Sequence, residues 1–288
     1  MYNFNLSGFY DRFHLLKKFI SSEHLKDTIK IFCSFDSFPG VIWNGGRPVW
    51  GDDTKVDRIK EIIDYYNSRN IGIRYTFTNL LLEEKHLSHE LGNICLELAH
   101  NEMNSVVVAT DLMKNYVRKN YPKYKLVWSL TANNKDFDYL KGKLSDLDYV
   151  AFPPDLNRNL NFFEQFSAKE RSRIEILVNE NCELDCCDRT EHYIELSKWQ
   201  LDKERTPWSR QNKLNNCPGI INTIKNPHIG DRPLHILYND LKKYNDMGIE
   251  HFKIQARSTI PDNSYIEILS HYLIKDEYQK LYGDSNVK

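Results

Sequence analysis

The 288-residue chain contains no run of about 18 apolar residues, which excludes a bilayer-spanning helix. Its first segment, MYNFNLSGFYDRFHLLKKF, lacks the unbroken apolar core of a secretory signal, because Asp11, Arg12 and His14 interrupt it. There is no excess of either charge sign. Lys and Arg total 39, Asp and Glu total 40, and the formal net charge is -1. That balance carries no phosphate-tracking signature, so nucleic acid is not an expected partner, nor is a membrane surface. No Gly-x-Gly-x-x-Gly follows the first apolar run, and no Gly-x4-Gly-Lys-Ser/Thr loop occurs, so both nucleotide fingerprints are missing. A Gly-x-Ser-x-Gly elbow and a His-Glu-x-x-His metal helix are missing as well. Repeats, low-complexity tracts and Pro/Ser-rich linkers are lacking too, which argues for one domain over residues 1–288. With no export signal, the expected location is cytoplasmic. The six cysteines are then expected as metal ligands, catalytic thiols or core residues, not disulfides.

What is present is a globular composition, 41% apolar and 27% charged. Apolar, β-branched runs alternate with stretches of helical spacing, which argues for βα units and a parallel sheet. The runs fall at 28–35, 72–79, 105–113, 125–133, 148–157, 174–182, a weak 219–224, and 248–257. Helical spacing appears at Val56, Ile59, Ile62 and Ile63, again over 88–102, around 233–247, and in a closing segment at 262–281. Eight strands in one chain of this length predict an α/β fold, a single (β/α)8 TIM-like barrel. Residues 183–218 form a Cys-containing excursion after strand six, inserted over the C-terminal mouth.

Active sites of such barrels lie at the C-terminal strand ends. Here those ends carry Asn79, Asp111, Ser129 with Asn133, Asp155 with Asn157, Asn179 with Glu180, and Lys253 with Arg257. Each side chain alone is a good helix cap. Together they predict a hydrogen-bonding pocket for a polar ligand. The loop after the first run adds Gly45-Gly46, which permits close backbone approach, and Arg47, a fork for a carboxylate or phosphate.

The most informative stretch is Asn179-Glu180-Asn181-Cys182-Glu183-Leu184-Asp185-Cys186-Cys187-Asp188-Arg189-Thr190-Glu191-His192-Tyr193. It holds three thiols directly after a strand, and Cys217 follows downstream before Pro218. Thiolates suit zinc or an iron–sulfur cluster. Cys-x3-Cys is not the Cys-x2-Cys pair of zinc ribbons. It is also not the Cys-x3-Cys-x2-Cys of radical S-adenosylmethionine enzymes, since position 189 is arginine. Unligated thiols in a loop remain the alternative. Cys33 and Cys95 fall within apolar patterns and are expected to be buried. His192 is expected as a ligand, a proton carrier or a plain surface residue.

The run Val178-Asn179-Glu180-x-Cys182-x3-Cys186-x2-Arg189-x2-His192-Tyr193 resembles the signature of the collagenase-like peptidase superfamily of barrels. That group includes the prephenate-dependent tRNA and rRNA hydroxylation proteins and the anaerobic ubiquinone hydroxylation proteins. The closing run, Gly248-Ile249-x2-Phe252-Lys253-Ile254-x2-Arg257, resembles its "LKIxGR" strand. Ala256 stands where that motif has glycine, and Cys187 where proline is usual. The matching motifs cover 178–193, 217–218 and 248–257 only. The resemblance implies a [4Fe–4S] cluster on Cys182, Cys186 and Cys217; it assigns no fourth ligand, for which Cys187 is the nearest candidate, and zinc is the alternative metal. The expected function is an iron–sulfur-dependent enzyme, an oxidoreductase or lyase, acting on a small polar or anionic biosynthetic intermediate by hydroxylation or dehydration. Asp111, Glu180 and His192 are the candidate catalytic residues. Arg47, Asn79, Asn179, Arg189, Lys253 and Arg257 are the candidate substrate contacts. Alternative expectations are a peptidase or hydrolase of the collagenase-like type, and a non-catalytic cluster-binding subunit of a hydroxylating complex. A protein partner or a homo-oligomer fits either.

Overall fold

The computed structural model describes residues 1–49, 51–202, 229–230, 232–256 and 260–283. Eight parallel strands close a barrel in chain order. They are β1 (Tyr2–Ser7), β2 (Ile29–Asp36), β3 (Gly72–Phe77), β4 (Ser105–Val108), β5 (Lys125–Trp128), β6 (Tyr149–Ala151), β7 (Ile174–Leu177) and β8 (His251–Ile254). The (β/α)8 expectation holds, but the strand assignment shifts by one. The first strand is the N-terminal segment that sequence reading treated only as a failed signal. Its alternation is plain: Phe4 packs outward on Tyr272, while Asn5 and Ser7 are fully buried. β1 joins β8 through Asn5 opposite Lys253, and β2 through Asn5 opposite Cys33. β7 pairs directly with β8, with Leu177 opposite Lys253. The barrel therefore closes without the run at 219–224, which lies outside the described residues. The Cys-bearing excursion consequently follows the seventh strand, not the sixth.

Helices pack around this sheet. α2 (Val56–Asn67) and α3 (Glu90–Leu98) fall where the spacing placed them, while α1 (Phe13–Ile20), α4 (Asp111–Asn120) and α5 (Phe137–Asp146) join them in the outer layer. On α2, Ile59, Ile62, Ile63 and Tyr66 are buried, one face of a 3.6-residue period. Several expected strands are cut short by caps at their ends. Val108 ends β4 because Thr110 turns to cap α4, its hydroxyl accepting from the Met113 amide at 3.3 Å. Ser129 closes β5 in the same way, accepting from the Thr131 amide at 3.1 Å. Two short helices, α6 (Leu160–Glu164) and α7 (Ala168–Arg171), precede β7. The closing helix runs over Asp262–Leu273.

Helix α8 (Arg189–Leu201) does not lie on the outside like its counterparts. Its Ser197 hydroxyl accepts from the Leu80 amide at 3.1 Å, and its Gln200 amide donates to the Val41 carbonyl at 3.1 Å. The loops after β2 and β3 are thereby tied to α8, which extends over the C-terminal mouth. Gly45 is required at this junction: an added Cβ would stand 2.6 Å from the Asn79 Cα and 2.7 Å from the Ser197 hydroxyl.

Candidate active site at the barrel mouth

Under α8 lies a small cavity of about 90 Å³ that opens to solvent. Phe35, Val107, Leu177 and Lys253 form its floor, while Tyr193 of α8 contributes to the roof. Ser7, Thr76, Thr78 and Ser129 add hydroxyls, and Arg47, Glu180 and Gln255 complete the polar lining. The strand alternation is responsible. Each inward residue of the last strand turn projects along the axis, and many of those positions are polar here instead of aliphatic.

Below the pocket the interior holds an ionic cluster. The Glu175 carboxylate is paired with the Arg74 guanidinium, accepts from the Asn5 amide at 2.6 Å, and lies 3.3 Å from the Lys253 amine. Arg74 also donates to the Ser105 hydroxyl at 2.9 Å. Arg74 and Glu175 are essentially inaccessible, and Lys253 is 7% exposed. The Lys253 amine sits over the Phe35 ring, 4.1 Å from its centre. Burial pushes the Glu175 carboxyl up, but Arg74 and then Lys253 outweigh it and bring it down to about 2. For Lys253, burial dominates and lowers the amine, with Glu175 opposing and Arg74 adding to the effect. Cys33 points into this cluster and donates to the Asn5 side-chain oxygen at 3.0 Å; burial pushes its thiol up to about 11. Beneath, the His251 ring packs on Phe32 and Tyr149, and burial lowers it to about 4.

Arg47 reaches the pocket wall as expected. It is held by Asp36, by the Ser7 hydroxyl at 2.7 Å and by the Ala256 carbonyl at 2.8 Å. Glu180 is 1% exposed at the wall, accepting from the Cys182 amide at 2.8 Å and from Gln255 at 3.2 Å. Arg47, Glu180 and Lys253 thus share one cavity. Other candidates do not line it. The Asn79 amide donates to the carbonyls of Ile42 at 3.2 Å and Ser197 at 3.0 Å, so it fastens loops instead. Asn179 exchanges two hydrogen bonds with the Gln255 backbone, at 2.9 and 2.8 Å. Asp111 opens α4 on the outer surface, where hydrogen bonds from Lys114 and Lys143 hold it below the usual carboxylate range. His192 is half-buried beside Tyr193. Arg257 lies outside the described residues.

The cysteine loop forms the rim. Arg189 is 2% exposed and spans it, donating to Asp155 at 2.5 Å and to the Glu183 carbonyl at 2.7 Å. Lys135 bridges Asp155 at 2.8 Å and Asp185 at 2.6 Å, and the Asp185 amide donates to Asp155 at 3.0 Å. Arg189 is therefore a loop latch in this arrangement. Cys182 is buried, Cys186 half-buried and Cys187 exposed, with the Cys187 thiol 3.6 Å from Asp188. Cys217 lies outside the described residues. Among the described residues, no group of three or more His, Cys, Asp or Glu side chains is arranged to hold a metal ion. The three described thiols face different environments and do not by themselves form a cluster cradle, so no chemical step is assigned to one.

Sequence reading missed Asn5, Arg74 and Glu175. The signal was present in β3 and β7, where Arg74 and Glu175 interrupt apolar strands at inward positions.

No family model and no curated protein matches the sequence. Among solved structures, the fold is similar to that of the U32 peptidase Mk0906. The match has a TM-score of 0.57 and 14% identity, covering 91% of this chain and 95% of that one. At that identity the likeness establishes the fold alone, a parallel eight-stranded barrel. No helix among the described residues is long and apolar enough to cross a membrane.

Proposed function

We propose that the chain is an enzyme acting on a small polar or anionic molecule held in the barrel mouth. The observation that carries this reading is the convergence of Arg47, Glu180 and Lys253 on one cavity at the catalytic face of the barrel. Lys253 presents its amine from the floor. Arg47 is fixed at the wall by Asp36 and Ser7, so its orientation is set before a ligand arrives. Glu180 is the candidate general base, since its carboxylate faces the same space. Hydroxylation or dehydration by an iron–sulfur enzyme belongs to this proposal, with Cys182, Cys186, Cys187 and Cys217 as candidate ligands. An iron and sulfide count on anaerobically purified protein, repeated after each Cys→Ser change, tests that part.

Turnover of small carboxylates and phosphates by wild type and Glu180→Gln tests the base. The expected loss is about 10²–10⁴-fold in kcat, with ligand affinity retained. Unchanged turnover in the variant would remove Glu180 from the chemistry.

The fold likeness to the U32 peptidase favours a second reading, a peptidase or hydrolase. It predicts peptide cleavage that survives removal of iron and disappears in Glu180→Gln.

A further inference from the structure

The interior cluster is not electrically closed. Two cations, Arg74 and Lys253, share the single Glu175 carboxylate. Asn5 and Ser105 are neutral partners, and the Cys33 thiol stays protonated at neutral pH. One Arg74 nitrogen, Nη2, is buried with no partner among the described residues. Excess charge in such surroundings is costly. A guanidinium does not give up its proton, whereas a lysine amine does so readily when buried. Lys253 is thus the member that relieves the imbalance, and it is also the member that borders the cavity. Across that cavity, the other ionic groups are already engaged: Arg47 by Asp36, and Glu180 by the Cys182 amide and Gln255.

We propose that Lys253 is an amine nucleophile that forms a Schiff base with the carbonyl of a small 2-oxo carboxylate bound in the mouth. The inference rests on reading the mouth as the active site, and it names the substrate class. A neutral amine beside a second cation in an apolar pocket is the established physical route to a nucleophilic lysine. In the step, the Lys253 nitrogen attacks the carbonyl carbon to give a carbinolamine. The C–O bond then breaks, and the oxygen leaves as water with the two hydrogens of the amine. The imine keeps the carbon skeleton and its carboxylate. Once the imine is protonated, that carboxylate supplies the negative charge the cluster lacks, and Glu175 lies within reach of the nitrogen. Phe35, Val107 and Leu177 shield the bond from water.

The test is reductive trapping. The full chain is treated with glyoxylate or pyruvate and cyanoborohydride near neutral pH, then mapped by peptide mass spectrometry. The expected result is an adduct at Lys253 in excess over every other lysine, by about tenfold for each unit its pKa lies below theirs. Lys253→Arg, which keeps a long basic side chain and whose fold is checked by circular dichroism, should abolish that adduct. Adducts confined to surface lysines would overturn the proposal. Thermal stabilisation by the same acids without reductant separates the two ideas. Stabilisation with no Lys253 adduct sinks the nucleophile and leaves the mouth as an anion site. Neither stabilisation nor adduct sinks both.

Discussion

Two places in this barrel use the same device, one carboxylate held between two cations. At the rim, Asp155 is shared by Arg189 and Lys135; in the interior, Glu175 is shared by Arg74 and Lys253. The rim group includes a second carboxylate, Asp185, and opens to water, for Lys135 is 38% exposed. Its charges balance, and its products are loop geometry: a fixed Glu183 carbonyl and a fixed Asp185 amide. The interior group has no second carboxylate and almost no solvent. An identical arrangement is therefore a latch in one place and, in the other, a setting that drives a lysine towards its neutral form. What differs is the count of carboxylates and the reach of water.

The comparison breaks most sharply at Glu175. Replacing it by Gln leaves the buried Arg74 guanidinium facing an amide, and the expected cost is about 3–5 kcal/mol in chemical denaturation. Adding Lys253→Met should recover part of that loss, because the double variant also removes the buried amine that Glu175 partnered. Additive losses would show that the two residues do not share one electrostatic site.

A pH titration sharpens the same contrast from below. His251 is lowered to about 4 in the folded protein from an ordinary value of 6.5. The unfolded chain takes up the proton first as pH falls. The stability His251 contributes is therefore complete above pH 6.5 and drains away towards pH 4, by about 3 kcal/mol from the linkage of pKa to free energy. His251→Phe should flatten that limb in urea denaturation series. An unchanged slope would show that His251 is protonated inside the fold.

Asp155→Asn tests the latch. Lys135 keeps Asp185 and its access to water, and Arg189 keeps the Glu183 carbonyl, so a smaller loss of about 2 kcal/mol is expected, on the scale of a charge-assisted hydrogen bond. Limited proteolysis should then cut within 183–188 sooner than in wild type. Asp111→Ala, on the outer surface, should change stability by less than about 0.5 kcal/mol and leave turnover intact. A large loss of activity there would restore Asp111 to the catalytic set.

The barrel was legible in the sequence because its strands are short, apolar and regularly spaced between amphipathic stretches. β1 was not, because YNFNLS reads as polar unless its alternation is matched to an interior that accepts Asn5 and Ser7. Arg47, Glu180 and Lys253 were legible as polar residues at strand ends and in the loops that follow. The partners that set the surroundings of Lys253 were not, because Arg74, Glu175 and Asn5 lie on three strands far apart in the chain and meet only after closure. The same limit explains Asn79 and Asn179: their residue type announces a polar role, but only packing decides whether a ligand or the backbone receives it.

The central claim is that Lys253, at the barrel floor, is the group that meets a ligand in the mouth. The most direct measurement is a thermal-shift titration with pyruvate on wild type and Lys253→Met, at fixed ionic strength. Saturable stabilisation of wild type and none of the variant is the predicted result. Equal stabilisation of both proteins, or of neither, would contradict it.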